Sequence, residues 1–197
     1  ILKMNIGISV SKAFIKIILD IMKGKAVVCS IINITVFTDK TNKEYLWMVR
    51  AVEQRLVLFH YNNGSRSGTV IENLTKGYEG YFQCDGFDGY ESAFKTRKNV
   101  HIVNCMAHIR RYFEQAQKEN KEMAEHALKE IQLLYRIEHG CDENGFTTEQ
   151  RKEERQQKSK PIMKALKLWM ETEGLKYSPS SQIGKAITYA YIRWNNM

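Results

Sequence analysis

Tyr81-Phe82-Gln83-Cys84-Asp85-Gly86-Phe87-Asp88-Gly89-Tyr90 reads as a strand that ends in an acid, then a glycine turn, then the start of a helix. An acid in that place stands at the carboxyl end of its strand, where open α/β sheets bind their ligands. The glycines would let a phosphate backbone come close. The same pattern fits a second reading, in which Asp85 or Asp88 caps the following helix. On pattern alone the two readings stand level.

Upstream of this stretch, short β-rich runs alternate with turns. Val27–Phe37 is almost continuously β-branched or apolar, as expected of a strand buried on both faces. Asp39-Lys40-Thr41-Asn42 reads as a turn, followed by strands over Tyr45–Arg50 and Leu56–Tyr61. Ser67–Leu74 predicts a short helix, Tyr81–Cys84 a fourth strand, Tyr90–Lys95 a helix and His101–Asn104 a fifth strand. The expected fold is therefore α/β (α+β), a mixed five-stranded sheet with flanking helices.

From Ala107 onward the chain reads as helical. Met123, Ala127, Ile131, Leu134 and Tyr135 keep a three-to-four spacing, as do Ile162, Leu166 and Trp169, and again Ile183, Ile187, Ala190 and Trp194. Thr147 with Gln150 predicts a capping box. Pro161 suits a first helical turn, with Ser159 as its cap. The charged run from Cys141 to Lys160 reads as a solvated helix face. No internal repeat is present.

Composition bounds the function. A chain of 197 residues, 43% hydrophobic, buries one substantial core with a helical appendage. Thirty basic against 22 acidic residues leave +8, a mild preference for a polyanion. The four cysteines form no CxxC pair, which favours a reducing cytoplasm over a disulfide framework. Phe14–Met22 is apolar but too short to span a bilayer, and Lys16 and Asp20 interrupt it.

A second chemical cluster follows the fifth strand: Cys105-Met106-Ala107-His108-Ile109-Arg110-Arg111-Tyr112-Phe113. Cys105 and His108 are zinc-ligand types, but no second pair lies at finger-like spacing. Arg110 and Arg111 could grip phosphates with forked donors, or be ordinary surface arginines. Met106, Ile109 and Phe113 read as core.

Several blocks carry a resemblance. Gly80 to Tyr90 is similar to the "GYLQTDGYxGY" block of insertion-sequence-66 transposases, DNA-transposing enzymes of the DDE type, and Cys105 to Phe113 resembles their "CWAHxRRxF" block. Tyr45-Leu46-Trp47, Ser65-Arg66-Ser67-Gly68 and Leu134-Tyr135-Arg136-Ile137-Glu138 fit in order, as do Ser159 to Ile162, Trp169 and Ser181 to Ala190. The match runs from about Thr35 to the last residue.

The resemblance implies a ribonuclease-H-like core over 26–106, a helical insertion region over 107–197, and a poorly matched remnant over 1–25. It implies phosphodiester cleavage and strand transfer at transposon-end DNA in the bacterial cytoplasm, by a chain that can form homo-oligomers. Such chemistry uses two divalent cations, Mg2+ or Mn2+, about 3.5–4 Å apart and held by three carboxylates. Asp85 matches the second carboxylate, and so would be a catalytic and metal-holding residue. His108, with Cys105, matches positions beside the active site, while Arg110 and Arg111 stand as DNA-binding candidates on their own chemistry.

The first carboxylate falls in an Asp-Glu-Thr segment, which here reads Ile32-Asn33-Ile34. Asp39, seven residues past Ile32, lies roughly 20 Å too far along an extended strand to replace it. The third belongs to a "DNNxxE" motif that falls beyond Met197. One carboxylate cannot hold two metals, so the expectation is a truncated, inactive copy in which metal is not bound productively. Activity would need an acid from another chain. The alternative is a non-catalytic DNA-binding or oligomerising remnant that modulates an intact transposase.

Overall fold

The long apolar run over Val27–Phe37 becomes strand β1, placed second from neither edge but at the centre of a five-stranded sheet. A computed structural model describes residues 27–37, 41–51 and 54–197. The amino-terminal stretch 1–25, Phe14–Met22 within it, and Asp39 lie outside the described residues. β1 pairs antiparallel with β2 (Thr41–Ala51), in a register running from Val27 beside Ala51 to Phe37 beside Thr41. β2 in turn pairs antiparallel with β3 (Leu56–Tyr61). On its other side β1 runs parallel to β4 (Gly80–Cys84), with Val27 beside Phe82 and Val28 beside Gln83. β5 (Val100–Asn104) completes the order β3-β2-β1-β4-β5. A central position explains why β1 lacks the polar alternation of a half-exposed strand.

The polar turn predicted over Asp39–Asn42 does not include its last two residues. Thr41 and Asn42 already belong to β2, opposite Phe37 and Val36. β-hairpin pairing with the long β1 outweighs the weak strand propensity of Asn42.

Alternation decides which sheet face is covered. On β2, Trp47, Val49 and Ala51 are buried, and on β3 Leu58 is, while Val57, Phe59 and Tyr61 are exposed. Helices α1 (Gly68–Leu74) and α2 (Asp88–Phe94) supply Val70, Ile71, Leu74, Tyr90, Ala93 and Phe94 to the same core. Fully buried large side chains such as Trp47 and Phe82 contribute about 1.5–3 kcal/mol each by leaving water. Arg97 then locks the turn after α1, donating to Thr75 Oγ1 at 2.9 Å, to the Thr75 carbonyl at 2.7 Å and to the Tyr78 carbonyl.

The chain divides into two compact units between Val103 and Asn104. The second contains α3 (Met106–Ala116), α4 (Lys121–Glu143), α5 (Thr148–Glu154), α6 (Lys160–Glu173) and α7 (Gln182–Arg193). Its core gathers Ile109, Phe113, Ala127, Ile131, Leu166, Ile183 and Ile187, at the positions the helical spacing predicts. The Thr147–Gln150 capping box is present, with both reciprocal hydrogen bonds.

Ser159 is not a cap. Its backbone is helical and its side chain caps nothing, because Arg155–Ser159 forms a π-turn joining α5 to α6 without a break. Proline at 161 lacks an N–H and crowds the carbonyl one turn back. A π-turn, with the Lys160 N–H bonded to the Arg155 carbonyl, absorbs that misfit without ending the helix.

Candidate nucleic-acid and metal-binding site

β4 alternates as a half-buried strand, with Phe82 and Cys84 buried and Tyr81 61% exposed. Asp85 follows its last residue and stands at its carboxyl end, half-buried. The Phe87 N–H donates to Asp85 Oδ1 at 3.2 Å, closing a turn around Gly86. α2 begins with Asp88, and its N-cap is Phe87, which offers no side-chain cap. Neither acid is therefore the N-cap that one sequence reading allowed. Asp85 instead uses one oxygen to set the turn and keeps a second.

The β1–β4 register carries the comparison one strand over. With Val27 beside Phe82 and Val28 beside Gln83, the same offset sets Ser30 level with Asp85. Ile32, Asn33 and Ile34 continue along β1 opposite Leu46, Tyr45 and Glu44 of β2. Glu44 is thus the acid in closest register to that segment, but its carboxylate accepts from Tyr61 Oη. That hydrogen bond, ahead of burial, raises the Tyr61 phenol above its ordinary value.

Three of the sequence blocks converge on the Asp85 turn. Trp47 Nε1 donates to the Ser65 carbonyl at 2.9 Å, and Trp47 meets Tyr90 edge-on at 6.0 Å. Ser67 caps α1 by accepting from the Thr69 N–H at 3.3 Å. A Cβ on Gly68 would come within 2.7 Å of the Gly89 carbonyl oxygen, and one on Gly89 within 2.2 Å of the Phe87 ring. Gly68 is required by close approach of backbone to backbone, whereas at Gly89 a side chain would push the Phe87 ring aside. Between these anchors the exposed Arg66 lays its guanidinium 4.2 Å from the Phe87 ring centre and 5.5 Å from that of Tyr45. Arg66 escaped the sequence reading as a functional residue. The block containing it was visible, but its ring partner lies 21 positions away.

The second unit holds the other predicted residues. Cys105 is the N-cap residue of α3. A side-chain hydrogen bond with His108 lowers its thiol pKa, aided by the His108 and Ala107 backbone N–H groups and opposed by burial. His108 Nδ1 is buried without a hydrogen-bond partner. Ile109 and Phe113 are fully buried and Met106 is half-buried, as expected. Arg110 pairs with Glu114 at 2.7 Å one turn along. Arg111 is exposed and has no ion pair among the described residues. Asp85 and the Cys105–Arg111 segment thus belong to different compact units.

Other blocks are consumed by structure. Glu138 accepts from Arg155 and Arg151, so the charged run after Cys141 holds α5 against α4 rather than only facing water. Ser181 Oγ accepts from the Gly184 N–H at 3.0 Å, and Glu119 accepts from the Gln182 N–H at 3.0 Å. Among the described residues no cluster of three or more His, Cys, Asp or Glu is placed to hold a metal ion. No helix among them is long and apolar enough to cross a membrane.

The model of a family described as "Transposase IS66 family" matches residues 32–197. The uncharacterized protein y4hP of Sinorhizobium fredii (strain NBRC 101917 / NGR234) is 32% identical over 151 residues, 68% of this chain and 27% of its own length. The uncharacterized protein y4qI of the same strain is 28% identical over 172 residues, covering 79% of this chain and 31% of its own. The chain therefore spans about a quarter to a third of the length of these curated relatives. No solved structure matches it.

Proposed function

The chain belongs to the IS66 transposase family, and from that premise we propose that it is part of a cytoplasmic, DNA-acting transposase built on a ribonuclease-H-like core. The observation that carries this reading is Asp85 at the carboxyl end of β4, in a sheet ordered β3-β2-β1-β4-β5 with β4 parallel to β1. The core would comprise residues 26–106, and residues 107–197 would form its helical region. DNA is the substrate class, with transposon ends as the specific target.

Transposases of this type use divalent metal ions, which polarise phosphodiester oxygens and activate the attacking one. The residues here do not fit a complete two-metal centre. Asp85 offers one free carboxylate oxygen, the Ile32–Ile34 segment offers no acid, and Glu44 is bound to Tyr61. Asp85 would be the one carboxylate of such a site that this chain supplies, and His108 would stand near it in the family's arrangement, one helical turn from Cys105 at the head of α3.

The absence of an acid in the Ile32–Ile34 segment favours a second reading, a non-catalytic DNA-binding part that associates with an active copy. One pair of measurements tests both. The purified chain is expected to bind duplex DNA weakly and with strong salt dependence, because phosphate contacts release counterions. With Mg2+ or Mn2+ it is expected not to nick terminal-repeat DNA. Nicking that disappears in Asp85→Ala would establish a complete ligand set and overturn the inactive reading. Absence of binding even at low salt would overturn the DNA-acting one.

A further inference from the structure

We infer that Arg66 is a phosphate-binding residue, held over the Phe87 ring so that it grips a DNA backbone at the turn that Asp85 begins; this rests on the reading of the chain as DNA-acting. Asp85 and Arg66 are both tied to one residue, Asp85 through the Phe87 N–H and Arg66 through the Phe87 ring. The strand-end acid and a cation from another loop thus share one contact residue. No carboxylate pairs with Arg66 among the described residues; its contacts are the two aromatic faces.

Stacking occupies the flat face of a guanidinium and leaves the N–H groups around its edge free to fork onto an anion. It also fixes the side chain in advance, so less entropy is lost when a phosphate arrives. The surroundings over-determine this placement. Phe87 is seated on Gly89, where even a methyl group would collide with its ring. The chain on either side of Arg66 is held by the Trp47 bond to Ser65 and by the Ser67 cap of α1. Gly68 packs its backbone directly on that of Gly89. An exposed arginine with no structural partner to satisfy needs no such mounting. Arg110, by contrast, already spends its guanidinium on Glu114.

The test is fluorescence anisotropy of the full chain with a labelled random-sequence duplex across low to moderate salt. Arg66→Ala is expected to weaken binding about 3–10-fold at low salt and to reduce the salt slope by about one. Arg66→Lys keeps the charge but loses the planar fork, so its slope is retained while affinity falls less. Phe87→Leu removes the platform and lowers affinity with the slope retained. Circular dichroism melts should match wild type for both Arg66 variants, since that side chain is exposed. If wild type binds and Arg66→Ala binds equally well with an unchanged slope, the inference falls and the DNA-acting reading stands. If wild type does not bind, both fall together.

Discussion

Two helix starts in this molecule each set a small polar residue near a glycine and are put to opposite use. At α7, Ser181 caps the first turn, Glu119 covers the next N–H groups, and Gly184 presses on the Ser178 carbonyl. Each of these polar groups at that terminus has a partner from the protein itself. At α2, the cap residue Phe87 offers no side-chain oxygen, the acid two residues before it keeps one free carboxylate oxygen, and an unpaired arginine lies on the ring. A small polar residue and a glycine can therefore be recognised in both places, but only one of them leaves chemistry facing outward. Conserving a helix terminus and building a binding site draw on the same residue types, and the partners of each atom tell them apart.

The largest effect should come from disturbing the closed terminus. A Cβ at Gly184 would stand 2.0 Å from the Ser178 carbonyl oxygen and 2.8 Å from its carbon, both backbone atoms that cannot rotate away. Gly184→Ala is expected to cost about 3 kcal/mol, read as a lower urea midpoint. Gly68→Ala meets the Gly89 carbonyl at 2.7 Å and should cost about 1–2 kcal/mol. It should also weaken DNA binding, since it shifts the loop that carries Arg66. A Gly184→Ala protein that unfolds at the wild-type midpoint would break the contrast between the two termini.

The sheet was legible in the sequence because its pattern is local. The β-branched run over Val27–Phe37 and the apolar and aromatic run over Leu56–Tyr61 each announce a strand without reference to anything distant. Asp85 was legible for the same reason, being a strand, a glycine turn and a helix in ten residues. Arg66 was not, because its meaning depends on Phe87 and Tyr45, brought to it by the fold. Ser159 misled in the opposite direction. Serine two residues before proline is a sound local signal for a helix start, yet the packing of a continuous helix across the π-turn overrode it. The Glu138 pairing was hidden likewise, since Arg155 is 17 positions away and reads locally as one more charge in a solvated run.

A middle-sized effect tests whether the loop bearing Arg66 is anchored as described. Trp47→Phe keeps most of the buried ring but removes the Nε1–H that bonds the Ser65 carbonyl. The expected loss is about 1 kcal/mol, the usual net worth of a partly buried hydrogen bond. Glu119→Ala should cost a similar amount, about 1 kcal/mol, by stripping the acceptor from the start of α7. The two differ in their second readout. DNA affinity should fall in Trp47→Phe and stay unchanged in Glu119→Ala, and a fall in both would erase the distinction between an open and a closed terminus.

The smallest effect concerns the other kind of carboxylate in the molecule, one fully engaged by arginines. Arg155 donates through Nε to Glu138 Oε1 and through Nη2 to Oε2, each at 2.7 Å, and Arg151 adds a bond to Oε2 at 2.9 Å. The Arg155 hydrogen bond, against some burial and with Arg151 assisting, holds the Glu138 carboxyl below its ordinary value. A carboxylate whose folded pKa is depressed adds stability in full above its unfolded value and loses it as pH falls through the folded one. Glu138→Gln should thus destabilise by about 0.5 kcal/mol near neutral pH, since the pair is partly exposed and screened. The gap between the variant and wild type should hold through neutral pH and close as pH drops below the ordinary glutamate range, where wild type also loses its charge. High salt should narrow it as well. Urea midpoints at neutral and acid pH measure both trends, and a gap that survives at acid pH would mean that Glu138 acts through shape rather than charge.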